Sequence, residues 1–175
     1  MAKTKKFATA SRQSEGAMRE VAYHEAGHAV MALLKRARFH HVSIEPGEDA
    51  LGHVLRAEWP SWFKPETDTS RRTEWRCMDY ATVLLAGRVA QGLAARGRVK
   101  IEGSEDDFKK AYQLAGYLCG SDDEVDVLMD LLNIRARNEL RQDFNWSKVE
   151  ALARELLARK RLNYDEVRGL YQQPG

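Results

Sequence analysis

Proline restricts this chain more than any other residue. Each of the four (Pro46, Pro60, Pro65 and Pro174) lacks a backbone donor and blocks a helix running through it. Three lie close together, and the long stretch from Pro65 to Pro174 contains none. That stretch carries helical periodicity throughout, and its spacing predicts a helix from about Arg71 to Ala95 and further helices starting at Ser104, Ser121, Asn145 and Asn163. Ser121 with Glu124, and Asn163 with Glu166, have the spacing of helix N-terminal caps. Before the prolines, Met18, Val21, Ala22, Val30, Met31, Leu33 and Leu34 mark a helix from about Glu15 to Arg36, with Lys35 and Arg36 suited to its C-terminal dipole. Phe39–Glu45 and Leu51–Ala57 read as two strands around the turn Pro46-Gly47-Glu48-Asp49, a β-hairpin. The expected fold is mainly α with a small β-sheet (α+β): a basic disordered tail over 1–14, then a single domain over 15–175.

Composition narrows the function classes. The 175 residues are enough for one domain that buries roughly 70% of the surface it exposes when unfolded. A second catalytic module of roughly 200 residues, such as an ATPase, has no room within them. No Gly precedes a Lys, so they contain no Walker A phosphate loop. A net charge of +2, from 28 basic and 26 acidic residues, predicts no nucleic-acid partner, and no apolar run is long enough to span a bilayer. Cys77 and Cys119 form no C-x-x-C motif and read as reduced thiols. The basic N-terminus lacks the apolar region of a secretory signal, so the expected location is cytoplasmic.

The chemistry concentrates in Val21-Ala-Tyr-His24-Glu25-Ala-Gly-His28-Ala-Val30, an H-E-x-x-H pattern on a predicted helix. Residues four apart lie about 40° apart around a helix axis, so His24 and His28 can present two imidazole nitrogens to one metal. Glu25 lies about 100° from His24 and about 60° from His28. From there it reaches a water at the metal's open position better than the metal itself, and can act as a general base. Zinc is the expected metal, one per chain, since it tolerates four-coordination and lowers the pKa of its water toward ~7. Gly27 in the helix interior costs about 1 kcal/mol relative to Ala, which points to close packing there. The alternative is a helix face with two satisfied histidines and a solvated glutamate.

A zinc site needs another protein ligand. Met31 and Leu34 stand where the glycine and third histidine of a metzincin would be. Glu45, Glu48 and Asp49 fall at the hairpin turn. Gly103-Ser104-Glu105-Asp106-Asp107-Phe108 opens a helix, where carboxylates are also expected as caps or dipole partners. Spacing does not choose among Glu105, Asp106 and Asp107.

The chain resembles the peptidase domain of the FtsH family, the M41 zinc metalloproteases, over roughly Glu15 to Leu170. The zinc-helix segment Val21–Val30 is similar almost letter for letter. Val42-Ser-Ile-Glu-Pro46 with Ala50-Leu-Gly52, Leu85-Ala-Gly87-Arg88-Val-Ala90, Gly103-Ser-Glu-Asp-Asp107-Phe-Lys-Lys-Ala111 and the pattern Val149, Leu152, Ala153, Leu156, Leu157, Leu162, Val167, Leu170 resemble further family segments. The resemblance implies a zincin-like helical metalloprotease domain with zinc held by His24, His28 and Asp107 and Glu25 as base. It also implies substrate added as a strand at Leu51–Ala57, with Leu51, Gly52, His53 and Val54 as contacts, and a homo-oligomer, six-fold in related domains.

One departure stands out. Gln91-Gly92 replaces an acidic pair usual in the family, so Gln91 can orient a ligand but supplies no charge. His40, His41 and His53 read as ordinary strand residues. Trp59, Trp62 and Phe63 read as a lid, a docking patch or a satellite core. The expected function is a zinc endopeptidase acting on unfolded or flexible polypeptides, with any ATPase or unfoldase supplied separately. The alternatives are a catalytically weak regulatory or binding module of the same fold, and a phage-type H-E-x-x-H protease specific for one regulator, whose third ligand would lie elsewhere.

Overall fold

The computed structural model describes residues 2–45, 59–95 and 105–173, with side chains from residue 15 onward. Among these residues the elements run α1 (Ala2–Leu34), β1 (His41–Ser43), α2 (Arg71–Ala94), α3 (Glu105–Gly116), α4 (Asp122–Leu140), α5 (Asp143–Arg159), β2 (Arg161–Asn163) and α6 (Tyr164–Gln172). The mainly helical architecture with a small sheet is as the proline distribution predicts. α1 starts at Ala2 rather than near Glu15, so the segment expected as a tail continues the helix. Ala2–Ser14 contains neither Gly nor Pro and several good helix formers, so propensity does not stop the helix there.

Caps fix the other helix starts. Ser70 accepts from the Thr73 backbone N–H at the start of α2, and Ser121 accepts from Glu124 at the start of α4. Asn163 and Glu166 form a reciprocal capping box on α6, each side chain bonded to the other's backbone N–H. α5 starts at Asp143, just ahead of the expected Asn145, whose amide instead donates to the Glu139 carbonyl and ties the α4–α5 turn.

α1 is the central element. It packs on α2 along one side and on α5 along another, while α2 also contacts α3 and α4. Ala22, Ala26, Ala29, Val30 and Met31 of α1 are buried against Val83, Leu84, Leu85 and Ala86 of α2 and Val149, Leu152 and Leu156 of α5 in one continuous core. Gly27 brings α1 and α2 close: a Cβ there would lie 2.4 Å from the Ala90 Cβ and 2.6 Å from the Ala86 carbonyl oxygen.

The sheet contains a strand that sequence reading missed. β1 pairs antiparallel with β2, with His41 opposite Asn163, Val42 opposite Leu162 and Ser43 opposite Arg161. The expected hairpin partner Leu51–Ala57 lies outside the described residues, as do the expected substrate contacts Leu51, Gly52, His53 and Val54. Lys160 takes a left-handed conformation (φ 68°), turns the chain from α5 into β2, and bonds back to Leu156 and Leu157 carbonyls through its N–H and Nζ. His40 is exposed and His41 half-buried, 3.2 Å from the Arg161 guanidinium.

The aromatic loop packs onto α2. Phe63 is buried edge-on against Tyr80, Trp59 stacks over Tyr80 at 5.9 Å, and the Arg72 guanidinium sits 3.6 Å above the Trp62 ring. Both cysteines are free thiols. No helix among the described residues is long and apolar enough to cross a membrane.

Candidate metal centre

The helical spacing of His24 and His28 puts both rings on the face of α1 turned toward α2 and α3. Their Nε2 atoms are 3.0 Å apart. The first turn of α3 supplies the third group: Asp107 Oδ2 lies 3.3 Å from His24 Nε2 and 3.2 Å from His28 Nε2. All three residues are buried. The open choice among the three acids of this turn is thereby resolved. Glu105 and Asp106 face solvent beside Lys109, with side chains 86% and 84% exposed, while Asp107 is 3% exposed and turns inward. Glu45 is exposed, and Glu48 and Asp49 lie outside the described residues.

The donor atoms fit a metal better than they fit one another. The Val83 carbonyl, on α2, accepts from His28 Nδ1 at 2.7 Å. A carbonyl only accepts, so Nδ1 carries the proton, and in the neutral form that binds a metal the lone pair lies on Nε2. That lone pair meets a second imidazole nitrogen and a carboxylate oxygen, all at about 3 Å. Four ligands placed tetrahedrally around zinc at about 2.0–2.1 Å are separated by about 3.3 Å along each edge. The observed triangle of 3.0, 3.2 and 3.3 Å is close to one such face. The cluster fits a single Zn2+ held by His24, His28 and Asp107.

Burial and their mutual contacts shift the titration of all three groups. Burial lowers the His24 pKa, and Asp107 offsets only part of that. Burial acts the same way on His28, but hydrogen bonding and charge attraction from Asp107 prevail and lift it to about 9. Burial raises the Asp107 carboxyl, and the two imidazoles more than reverse this, holding it well below the usual carboxylate range.

Glu25 is fully buried beside this triad, and neither carboxylate oxygen has a hydrogen-bond partner among the described residues. Burial pushes its pKa up to about 8. A buried carboxylate without partners is costly to the fold, and such a group requires an explanation. Gln91, also buried, stands beside His24, and its Oε1 is likewise unpartnered.

Sequence reading missed two contributions from α2: the Val83 carbonyl and the bare backbone at Gly87. Val83, Gly87 and Gln91 fall at i, i+4 and i+8, one stripe facing the triad. The readable signal was a helix-interior glycine on the same stripe as Gln91.

The fold and the triad define a helical H-E-x-x-H metal-site domain whose third ligand group comes from a separate helix. The model of Peptidase family M41 matches residues 11–121, more than half of the chain, and the chain belongs to that family. It is 35% identical over 103 residues to an ATP-dependent zinc metalloprotease YME1 homolog of Caenorhabditis elegans, covering 58% of this chain and 13% of that protein. With the ATP-dependent zinc metalloprotease FtsH 2 of Thermoanaerobacter sp. it shares 26% identity over 175 residues, 87% of this chain and 32% of the relative. With the FtsH of Thermobaculum terrenum it shares 36% over 104 residues, 58% of this chain and 15% of the relative. The chain therefore spans a third or less of the length of these curated relatives.

Proposed function

We propose that this chain is a zinc endopeptidase domain that hydrolyses peptide bonds in unfolded or flexible polypeptides. The observation that carries this reading is the buried, unpartnered Glu25 carboxylate next to the His24, His28 and Asp107 donors. Zinc, when bound, supplies Lewis acidity and a water acidic enough to attack a carbonyl near neutral pH. Glu25 takes one proton from the attacking water and passes it to the departing amine as the C–N bond breaks. Asp107 and the Val83 carbonyl hold the imidazoles in position, and Gln91 orients His24 without adding charge.

In this reading substrate pairs through its main chain somewhere in Leu51–Ala57, by backbone hydrogen bonds that are the same for any sequence. A folded substrate then needs an unfolding ATPase, and the domain works as a homo-oligomer. The names of the relatives, ATP-dependent zinc metalloproteases, support the first point. Two free thiols, one of them buried, suit a reducing compartment such as the cytoplasm.

The test measures bound zinc and cleavage of a denatured, labelled polypeptide. Glu25→Gln is expected to keep one zinc and the fold and to lose about 10²–10⁴-fold in rate. Equal cleavage by the variant overturns the mechanism. Gln91 favours a second reading, a catalytically weak binding module, which wins if the wild-type protein holds one zinc and cuts nothing. The Asp107 contacts argue against the regulator-protease reading, which needs its third ligand elsewhere.

A further inference from the structure

Two buried glycines lie at the contact between α1 and α2, and they meet different atoms. A Cβ on Gly27 would strike the backbone and Cβ of α2. A Cβ on Gly87 would meet no backbone among its nearest neighbours. It would lie 2.4 Å from His28 Nε2, 2.8 Å from His24 Nε2 and 2.8 Å from His28 Cδ2. Real Cβ atoms do not approach nitrogen so closely, so the two rings would have to turn away from each other or from Asp107. A third helix-interior glycine, Gly92 on the same α2, has open space where its Cβ would be. A glycine in a helix interior is unfavourable for backbone entropy, and among the described residues only at Gly87 is the space left by the missing side chain bounded by the metal-binding nitrogens.

We infer that Gly87 is a residue of the metal seat. Its missing side chain keeps clear the volume onto which the His24 and His28 Nε2 lone pairs converge, and a single methyl group there closes the seat to a metal ion. Gly87 acts by position, through the two imidazoles, and makes no bond to the ion. The stripe Val83, Gly87, Gln91 then forms a second wall of the site: a carbonyl that fixes one ring, a gap that admits the ion, and a carboxamide beside the other ring. This inference rests on the zinc reading for its biological meaning. Its steric core requires no metal.

The experiment compares Gly87→Ala and Gly92→Ala with the wild-type chain. Zinc affinity is read by competition with a chromogenic chelator, Co2+ coordination by visible absorption, and the fold by circular dichroism and melting in EDTA. Gly92→Ala is expected to bind zinc as the wild type does. Gly87→Ala is expected to keep its helical content in EDTA, to bind zinc at least ~100-fold more weakly, and to lose the rise in melting temperature that zinc gives a protein binding it only when folded. Wild-type zinc affinity and an unchanged Co2+ spectrum in Gly87→Ala overturn the inference. If Gly87→Ala is too unstable for titration, urea unfolding in EDTA decides through a double-mutant cycle with His28→Ala. Removing the His28 imidazole takes away two of the three close contacts, so the cost of the added methyl should fall. An equal cost in both backgrounds overturns the inference. A wild-type chain that binds no zinc defeats the proposed function, and the metal-free cycle still decides on Gly87.

Discussion

The two sides of α1 solve packing in opposite ways. Toward α2 the closest approach is at Gly27, Ala86 and Ala90, with Gly87 against the two histidines, and polar groups lie inside this contact. Toward α5 it is made of Val149, Leu152 and Leu156. The first contact is close because side chains are missing, and it holds an imidazole pair, two carboxylates and a carboxamide away from water. The second is stable because large side chains fill it. A site that must position atoms to within tenths of an ångström lies on backbones that meet directly. The surface that contributes stability uses bulk.

That contrast can be tested by perturbing each side in turn. Leu156 is fully buried on the bulky side, and Leu156→Ala is expected to cost about 2–5 kcal/mol in urea unfolding. Bound zinc should stay at wild-type stoichiometry below the transition, and loss of zinc from the folded variant would erase the distinction between the two sides. Gly27→Ala acts on the close side. Its methyl meets the Ala86 carbonyl at 2.6 Å, so α2 must shift, at a net cost of about 1–3 kcal/mol. Here stability and zinc affinity should fall together, because the Val83 carbonyl moves with α2 away from His28 Nδ1. Retained affinity would show that the contact distance does not control the site. Asn163→Ala removes one half of the α6 capping box and should cost about 1 kcal/mol. Its effect on zinc binding should be nil, as measured by thermal melting alongside metal titration.

What the sequence made legible follows the range of each interaction. His24, Glu25 and His28 depend on one turn of one helix, so spacing alone predicts them. Helix starts at Ser121 and Asn163 were readable for the same reason, since a cap acts over three residues. Asp107 is 83 positions from His24, and no local rule selects it over Glu105 or Asp106. Family resemblance pointed to it, and burial of that one side chain supports it. β2 was missed because Arg161–Asn163 is too short to alternate and its partner lies far upstream. Gly87 was quoted as part of a motif, but a helix glycine acquires a role only once the atoms opposite it are known.

The β1–β2 ladder also bears on how the molecule is made. His41 and Arg161 face each other's strands across 120 positions of chain, and the residues following the zinc helix have no described strand partner before β2. At about 5–20 residues per second, a ribosome takes on the order of ten seconds to synthesise that interval. For that time the histidines exist without the strand that ties down the end of their helix, and for part of it without Asp107. A nascent chain in this state is a flexible polypeptide with exposed apolar surface, the class of molecule this domain is proposed to degrade.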